Sequence, residues 1–261
     1  MTGETLTPDH PRYLSLKERH LITEGMHEKV VAEAGLIAHG RGEAFDYILG
    51  EKTPPYAIEQ EKAAVAQLLL AKHPIISVNG NVAILCPDNL VKLAQKTNAK
   101  LEVNLFYRTE ERETNIKKLL LDAGAKEILG VNLGDKAIEI PELTHKRRIV
   151  DPEGIFKADV VFVPLEDGDR TMALRKMSKK VITVDLNPMS RTAVYGNITI
   201  VNHIRRALEE MVEISDELRK LSNSQLEDIV TNFNNNSSLQ ESLAFMANRL
   251  HELSKSKIQE E

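Results

Sequence analysis

Residues 75–201 show short apolar runs that alternate with amphipathic segments. The apolar runs predict six strands, at 75–78, 101–106, 127–131, 160–165, 181–186 and 198–201. The amphipathic segments predict the helices between strands, at 87–97, 111–123 and 170–177. A polar segment with Pro141 follows the third strand and predicts a loop. This alternation is typical of a parallel sheet with helices on its faces.

Helical periodicity precedes this α/β region. Residues 1–14 have no period and predict an extended arm. The helices that follow are predicted at 16–31, 44–49 and 55–72. Ser15 and Glu18 fit a capping box for the first of these helices, and Pro55 suits the first turn of the last one.

Helical periodicity also follows the α/β region, at 203–221 and 239–258. The asparagine-rich segment 223–238 between these two helices favours a linker or loop. We therefore divide the chain into three parts: an N-terminal arm and helical segment (1–74), an α/β core (75–206) and a C-terminal helical extension (207–261).

Composition narrows the class of function. The chain of 261 residues carries a net charge of −5, which argues against a general nucleic-acid binder. Cys86 is its one cysteine, so an internal disulfide and a cysteine-based zinc site are excluded and a reducing compartment is expected. Residues 1–11 do not resemble a signal peptide, and no apolar run has the length of a membrane span. We expect a soluble cytoplasmic protein that binds neither nucleic acid nor membrane.

The segment Gly40-Arg41-Gly42, with His39 before it and Glu43 after it, predicts a loop at the start of a helix. Glycines let backbone amides approach a ligand, and arginine presents a charged fork that matches phosphate or carboxylate. The N-terminus of a helix also favours anions. One interpretation is an anion-binding loop, and the other is a tight turn with a surface arginine.

Polar side chains follow every predicted strand. In an open parallel sheet, ligands bind beyond the carboxyl ends of the strands. The six exits carry Asn79-Gly80-Asn81, Asn104 with Tyr107-Arg108-Thr109, Asn132, Glu166-Asp167-Gly168-Asp169-Arg170, Asp185 with Asn187-Pro188-Met189-Ser190-Arg191-Thr192, and Asn202-His203. Six such exits favour a ligand site along this edge over ordinary loop composition.

Some of these exits have a competing structural interpretation. The turn from Asp185 to Thr192 suits a nucleotide phosphate or ribose, but it is also typical of a proline turn with a helix cap at Ser190. The carboxylates around Asp167 suit Mg²⁺ or an amine, or else a turn with Asp169 as the helix cap. Asn79-Gly80-Asn81 fits a substrate-binding corner or an Asx turn.

Several common catalytic motifs are absent from the sequence. Gly40-Arg41-Gly42 lacks the third glycine and the preceding strand of a dinucleotide fingerprint. There is no Walker A loop, which argues against P-loop phosphotransfer. The eight histidines show no paired spacing, so no zinc site is predicted, and no nucleophile elbow is present.

Taken together, the longer motifs resemble one family. They are Gly35-Leu36-Ile37-Ala38-His39-Gly40-Arg41-Gly42-Glu43-Ala44-Phe45-Asp46-Tyr47, Ser77-Val78-Asn79-Gly80-Asn81, Glu102-Val103-Asn104-Leu105-Phe106, Pro164-Leu165-Glu166-Asp167-Gly168-Asp169-Arg170, and Asp185-Leu186-Asn187-Pro188 with Ser190-Arg191-Thr192-Ala193. Over residues 8–206 the chain resembles the archaeal phosphopantothenate synthetases, which are 4-phosphopantoate–β-alanine ligases. The resemblance implies a Rossmann-like fold and a homodimer. It also implies a reaction in coenzyme A biosynthesis that joins 4-phosphopantoate to β-alanine with ATP and releases AMP and diphosphate.

The resemblance also implies a nucleotide site. The residues expected to contact ATP are Arg19, Arg41, Asp185, Leu186, Asn187, Arg191, Thr192, Asn202, His203 and Ile204. The chain has Asn202-His203 where the family pattern has Asp-Asn, so backbone contacts are what we expect to persist there. Arg19 and Arg41 are the expected catalytic residues, since attack on the α-phosphate develops negative charge that arginines and Mg²⁺ stabilise.

The remaining polar residues are hypotheses for the other substrates of that reaction. Arg108 and Arg112 are expected to hold the 4-phosphate, and Asn79, Asn81 and Asn104 the hydroxyl and carboxylate of the same substrate. Glu166, Asp167 or Asp169 is expected to bind Mg²⁺ or the ammonium of β-alanine. Gly40-Arg41-Gly42 would then form a lid or wall over the strand ends that start at Asn79.

Two alternatives stay open at this point. One is an ATP-dependent small-molecule kinase of the same pathway, such as a pantoate kinase, which would release ADP. The other is a non-catalytic regulator that binds ATP without turnover. The absence of a Walker A loop counts against the kinase.

Overall fold

The computed structural model describes residues 7, 9–10, 12–165 and 167–255. Its strands are β1 (Pro74–Val78), β2 (Lys100–Val103), β3 (Ile128–Leu129), β4 (Ile138–Glu139), β5 (Ile149–Val150), β6 (Val160–Pro164), β7 (Lys180–Val184) and β8 (Ile198–Ile200). Its helices are α1 (Tyr13–His27), α2 (Glu33–Leu49), α3 (Pro55–Leu70), α4 (Gly80–Leu85), α5 (Pro87–Thr97), α6 (Glu110–Asp122), α7 (Gly168–Lys176), α8 (Arg191–Tyr195), α9 (Ile204–Leu218), α10 (Asn223–Asn232) and α11 (Asn235–Lys255). Within these residues, no helix combines the length and the apolar character needed to cross a membrane.

Six strands form one parallel sheet in the order β3-β2-β1-β6-β7-β8, and β4 pairs with β5 in a separate antiparallel hairpin. Every residue of β1 and β6 is buried. Alternate residues point to opposite faces: Ile76 and Phe162 pack in one hydrophobic cluster, whereas Ile75 and Val161 pack in another. The predicted parallel sheet with helices on both faces is therefore confirmed.

The N-terminal helices pack directly against this sheet. Helix α3 contacts β8 and α9, and its Ala64 and Leu68 belong to the same cluster as Ile76. Helix α1 begins at Tyr13 with Arg12 as its N-cap, so the predicted cap at Ser15 is wrong. The Ser15 hydroxyl instead donates to Glu43 Oε1 at 2.8 Å and joins α1 to α2.

Gly40 and Gly42 lie inside a helix, so the predicted loop is wrong. Helix α2 runs unbroken from Glu33 to Leu49, and Gly50 ends it with φ of 88°. A glycine inside a helix costs about 1 kcal/mol relative to alanine, which tertiary packing can offset. The close contact falls at Gly35, where a Cβ would lie 2.3 Å from Asn81 Oδ1. Helix α2 is thus pressed against the start of α4.

The asparagine-rich segment is also mostly helical, and the predicted linker at 223–238 is wrong. A capping box of Ser222 and Gln225 starts α10, a signal that composition alone concealed. The Asn235 side chain accepts a hydrogen bond from Thr199 N at 2.8 Å and donates to Ala193 O at 3.1 Å. This asparagine therefore fastens the C-terminal helices to β8 and α8.

The segment predicted as a polar loop after β3 has its own short structure. It contains the β4–β5 hairpin and two 3₁₀ turns, Gly134–Lys136 and Lys146–Arg148. Ile140 and Leu143 are buried against the sheet, and this packing fixes the segment. As a result, Arg147 is carried to the edge where the parallel strands end.

Candidate active site

The candidate site lies where the order of the strands reverses. Strands β1 and β6 are neighbours in the sheet, and the chain leaves them towards opposite edges. Asn79, which follows β1, donates from Nδ2 to Pro164 O at 2.9 Å and to Leu165 O at 3.2 Å. Its Oδ1 accepts from Val82 N and caps α4. A reversal of this kind opens a crevice between adjacent strand ends, which is where open α/β sheets bind ligands.

Two backbone features shape this crevice. Leu165 has a φ of 54°, a left-handed conformation that is rare for a residue with a branched side chain. Gly80 packs so closely that a Cβ would lie 2.2 Å from Val30 O. Both positions therefore favour a tight, fixed backbone at the edge of the sheet over a mobile one.

A cavity of about 330 Å³, here called the main cavity, opens at this crevice. Helix α2 forms one wall, and the exits of β1, β2 and β6 form the opposite wall. Its polar side chains are those of His39, Arg41, Glu43, Asn79, Asn81, Arg112, Arg147, Asp167 and His203. Ile204 also lines it. A volume of this size suits a small-molecule ligand.

A second cavity of about 290 Å³ adjoins the main cavity. Its distinctive lining is Phe45, Val184, Asp185, Asn187, Ser190 and Thr192. The two cavities share the residues Ala38, Arg41, Gly42, Leu165 and Leu186. Arg41 therefore stands at the junction, with its charge next to both spaces.

The turn that lines the second cavity is held together by its own side chains. Asp185 accepts hydrogen bonds from the Ser190 hydroxyl and from Asn187 N, the latter at 2.9 Å. Burial raises the pKa of Asp185, and these two hydrogen bonds oppose that shift. Ser190 also caps α8 by accepting from Ala193 N. The helix cap predicted at Ser190 is thus confirmed, and the same turn forms a cavity wall.

Two arginines dominate the main cavity. Arg112 donates from Nη2 to Val30 O at 2.8 Å and from Nη1 to Tyr107 O, while its Nε has no hydrogen-bond partner among the described residues. Arg147 is 8% exposed, and its Nη1 lies 2.6 Å from Asp167 Oδ2. Burial lowers the pKa of Arg147 to about 10 and that of Arg112 in the same direction. Both groups stay charged at neutral pH, so this cavity favours an anion.

Asp167 supports Arg147 and also starts a helix. Its Oδ1 accepts from Arg170 N at 2.9 Å, which makes Asp167 the N-cap of α7 in place of the predicted Asp169. Burial alone would raise the pKa of Asp167, but Arg147 and the Arg170 amide lower it below the usual value. Asp167 therefore remains an ionised partner for the arginine.

The acidic segment that follows β6 does not form a metal-binding cluster within the part of the chain that the structure describes. Asp169 pairs with Arg191 at 2.6 Å, and Asp167 with Arg147. No group of three or more His, Cys, Asp or Glu side chains among the described residues is arranged to hold a metal ion. Glu166, the third predicted carboxylate, lies outside the described residues.

Three of the residues predicted to bind substrate or nucleotide serve the protein framework. Arg108 pairs with buried Glu113 and donates to Ile149 O at 3.0 Å, so it does not line either cavity. Asn104 is fully buried, and its amide donates to the carbonyls of Arg147 and Ile149. Asn104 thus positions the segment that carries Arg147.

Asn202 is the third of these residues. Its amide Nδ2 donates to Glu61 Oε1 at 3.0 Å and to Glu210 Oε2 at 3.1 Å, and its Oδ1 accepts from Arg206 Nε at 3.1 Å. Arg206 also binds Asp46 of α2 through both terminal nitrogens. The side chain of Asn202 therefore points away from the cavities and helps to fix α2 against α9.

Two predicted nucleotide contacts lie beside the cavities. Arg19, on α1, is 3.5 Å from Glu43 Oε1, and Arg191 is largely exposed beside Asp169. His203 does line the main cavity, but its imidazole is already engaged: Nδ1 accepts from Arg205 N at 3.4 Å, and Nε2 is 3.2 Å from Glu18 Oε2.

Three ionisable residues of the main cavity, His39, Glu43 and Arg147, are not among the residues that the sequence predicts for the site. Arg147 belongs to the basic run Lys146-Arg147-Arg148, in a segment that the sequence predicts to be a loop. His39 and Glu43 flank Gly40-Arg41-Gly42, and the motif by itself indicates no role for either side chain. The helical spacing from His39 to Glu43 would have placed both side chains on one face, had the segment been read as a helix.

Known proteins resemble nearly the whole chain. A protein-family model described as phosphopantothenate/pantothenate synthetase matches residues 56–249. A protein from Thermococcus kodakarensis named 4-phosphopantoate–β-alanine ligase is 53% identical over 245 residues, which cover 94% of this chain and 93% of that relative. Proteins of the same name from Thermococcus onnurineus and Methanosarcina mazei are 51% and 48% identical, and cover 94% and 90% of this chain and 93% and 92% of their own lengths.

Proposed function

We propose that the chain, which belongs to the phosphopantothenate/pantothenate synthetase family, is an enzyme that joins 4-phosphopantoate to β-alanine as a ligase. The products would be 4′-phosphopantothenate, AMP and diphosphate, as a step of coenzyme A biosynthesis. The observation that carries the proposal is the pair of joined cavities with Arg41 on both walls. A ligase of this kind must bring a carboxylate and a nucleotide phosphate together, and the junction provides that meeting point.

The main cavity is the proposed site for 4-phosphopantoate. Arg112 and Arg147 present buried positive charge to it, and charge-assisted hydrogen bonds to phosphate are among the strongest in proteins. We assign to Arg147 the 4-phosphate-binding role that the sequence predicts for Arg108, because Arg108 is paired with Glu113 outside this cavity. Asn79 and Asn81 are bonded to backbone carbonyls and would shape the wall of the site.

The second cavity is the proposed site for ATP. Asp185, Leu186, Asn187 and Thr192 line it, as the family resemblance implied. Arg41 would then face the α-phosphate, where a carboxylate oxygen of 4-phosphopantoate attacks phosphorus and diphosphate leaves. A guanidinium at this point would stabilise the negative charge that develops during the attack. The resulting acyl-adenylate would then react with the amine of β-alanine.

Mg²⁺ is proposed to enter with the ATP. The described residues offer no three-ligand cluster for it, and Asp167 and Asp169 are each paired with an arginine. Mg²⁺ commonly binds through substrate phosphates with few protein ligands. We therefore assign no step of the reaction to a protein-held metal.

We also propose that the active protein is a cytoplasmic homodimer, as the family resemblance implies. Helix α2 carries exposed Ile37 and Tyr47, and neighbouring α11 carries exposed Leu243 and Leu250. Exposed apolar side chains on packed helices are consistent with a subunit contact. Sedimentation of the full chain measures the oligomeric state directly, and a monomer at micromolar concentration would contradict this assignment.

The function is tested by incubating the protein with ATP, Mg²⁺, 4-phosphopantoate and β-alanine and identifying all products. The ligase forms AMP and diphosphate in step with 4′-phosphopantothenate, and only when both acceptor substrates are present. Formation of ADP would favour the kinase alternative. ATP binding without any turnover would favour a regulator.

A further inference from the structure

His39 places an imidazole on the wall of the main cavity, and no residue in the described part of the chain is bonded to it. The side chain is half-buried on α2 and forms no hydrogen bond or ion pair with another described residue. The other imidazole of this wall, His203, is engaged at both nitrogens by Arg205 N and Glu18. Among the described residues that line the cavity, His39 is thus the histidine with nitrogens available to a ligand.

Two charged residues act on His39. Glu43 lies one helical turn later on α2, and Arg19 approaches from α1, whereas His203, which also lines the cavity, has its pKa lowered by burial to about 4 and is neutral at pH 7. Burial lowers the pKa of His39, Glu43 opposes this shift and Arg19 adds to it. The imidazole is therefore neutral at pH 7 and can accept a proton.

Glu43 supplies a negative charge beside that neutral imidazole. Its Oε1 accepts from the Tyr47 hydroxyl at 2.6 Å and from the Ser15 hydroxyl at 2.8 Å, and it lies 3.5 Å from Arg19 Nη2 and 3.8 Å from Arg12 Nη2. Its Oε2 has no hydrogen bond or ion pair with another described residue. Burial would raise the pKa of Glu43, but hydrogen bonds from Tyr47 and Ser15, together with the charge of Arg19, lower it below the usual value. The ionised Glu43 can therefore bind a cationic group through Oε2. The neutral His39 beside it can accept a proton from that group.

We propose that His39 is the general base that deprotonates the ammonium group of β-alanine, which Glu43 receives through Oε2. This assignment rests on the proposed ligase function and names its missing amine site. His39 and Glu43 line the cavity that would hold the activated acyl group, and they lie four residues apart on one helical face.

The proton and electron balance of this step is simple. One N–H bond of the ammonium breaks and its proton passes to His39, which leaves a lone pair on nitrogen. That pair forms the C–N bond at the acyl carbon, and the acyl–oxygen bond breaks as AMP leaves with its electrons. A second N–H proton passes to water as the amide forms, and His39 returns its proton to solvent.

The test compares two nucleophiles in His39→Gln and His39→Asn variants. β-Alanine carries an amine that, like that of lysine, has a pKa of about 10.4 and must be deprotonated before it attacks. Hydroxylamine is unprotonated at neutral pH and needs no base. Hydroxamate formation from ATP and 4-phosphopantoate therefore reports activation of the acid, and amide formation reports the base as well.

At pH 7 we expect both variants to lose amide formation by about 100-fold or more, a typical contribution of a general base. Hydroxamate formation should stay within about threefold of wild type. The loss of amide formation should shrink by about tenfold per pH unit as solvent deprotonates more of the amine. The matched control is His20→Gln on α1, which is exposed, lies outside both cavities and should behave as wild type.

Two results would overturn the assignment of His39. One is wild-type amide formation in both variants, and the other is an equal loss of amide and hydroxamate in variants that keep the wild-type melting temperature. A wild-type protein that forms neither product would instead overturn the ligase function itself. The two failures are therefore distinguishable.

Discussion

The two joined cavities hold their polar groups in different ways. In the main cavity, polar side chains come from distant segments: the charged Arg112 from α6, the charged Arg147 from the 3₁₀ turn before β5, and the neutral His39 from α2. In the second cavity, Asp185, Asn187 and Ser190 belong to one turn and bond to each other. The main cavity thus depends on tertiary assembly, whereas the second depends on local conformation.

The two arrangements of polar groups suit two different kinds of ligand. Fixed charges carried by separate elements suit an anionic substrate, whose position they define from several sides. A self-contained turn suits a ligand that is recognised by shape and backbone contacts. Arg41 belongs to both cavities and couples the two kinds of site.

The largest effect is expected at this junction. Arg41→Ala should lower kcat of amide formation by about 100- to 1,000-fold, since one donor to developing charge typically contributes that much. The side chain is exposed and has no hydrogen bond or ion pair with another described residue, so the melting temperature should stay unchanged. Steady-state kinetics with a thermal melt measure both, and full turnover in the variant would reduce Arg41 to a surface residue.

A second prediction compares two arginines four residues apart. Arg112→Met should raise KM for 4-phosphopantoate by about 10- to 100-fold, as expected from the loss of a charge-assisted hydrogen bond. The same change at Arg108 leaves Glu113 buried without its partner, so it should lower the free energy of unfolding by roughly 3 kcal/mol or more. Urea unfolding and KM for each substrate separate the two effects.

The distinction between a ligand-binding Arg112 and a structural Arg108 is wrong if the two variants behave alike. A folded Arg108→Met enzyme with KM raised as far as in Arg112→Met would place Arg108 at the ligand. An Arg112→Met enzyme that only loses stability would remove Arg112 from the site.

The smallest effect is expected at Arg191. Its pair with Asp169 is exposed, and exposed pairs contribute about 0–1 kcal/mol to stability. Arg191→Ala should therefore leave the unfolding curve unchanged. If the turn recognises ATP through its local conformation, Arg191 contributes at most about 1 kcal/mol to ATP binding, and KM for ATP should rise by no more than about fivefold. A tenfold rise would show that Arg191 leaves Asp169 to bind the nucleotide.

The sequence predicts the sheet well because its signal is local. The apolar runs at β1 and β6 are continuous, and no other element explains them. The polar exits at Asn79 and Asp185 then follow from the rule that parallel strands end at one edge. These features need no knowledge of which elements touch.

The site was less predictable because contacts between distant elements decide it. Arg108 and Arg112 look equivalent in sequence, and only the fold pairs the first with Glu113 and turns the second to the cavity. Gly40 and Gly42 suggest a loop by composition, yet packing of α2 against α4 through Gly35 keeps the segment helical. The position of Arg147 at the strand ends depends on the fold of the β4–β5 hairpin, and no local sequence signal indicates it.

The lone thiol of the chain has a practical consequence for measurement. Cys86 is 4% exposed, and burial raises the pKa of its thiol, so it is protonated and shielded from alkylating reagents in the folded state. A cysteine introduced at an exposed position would then be labelled alone, without a cysteine-free background having to be built first. Cys86 itself becomes reactive when the core opens, which turns it into an internal reporter of unfolding under native conditions.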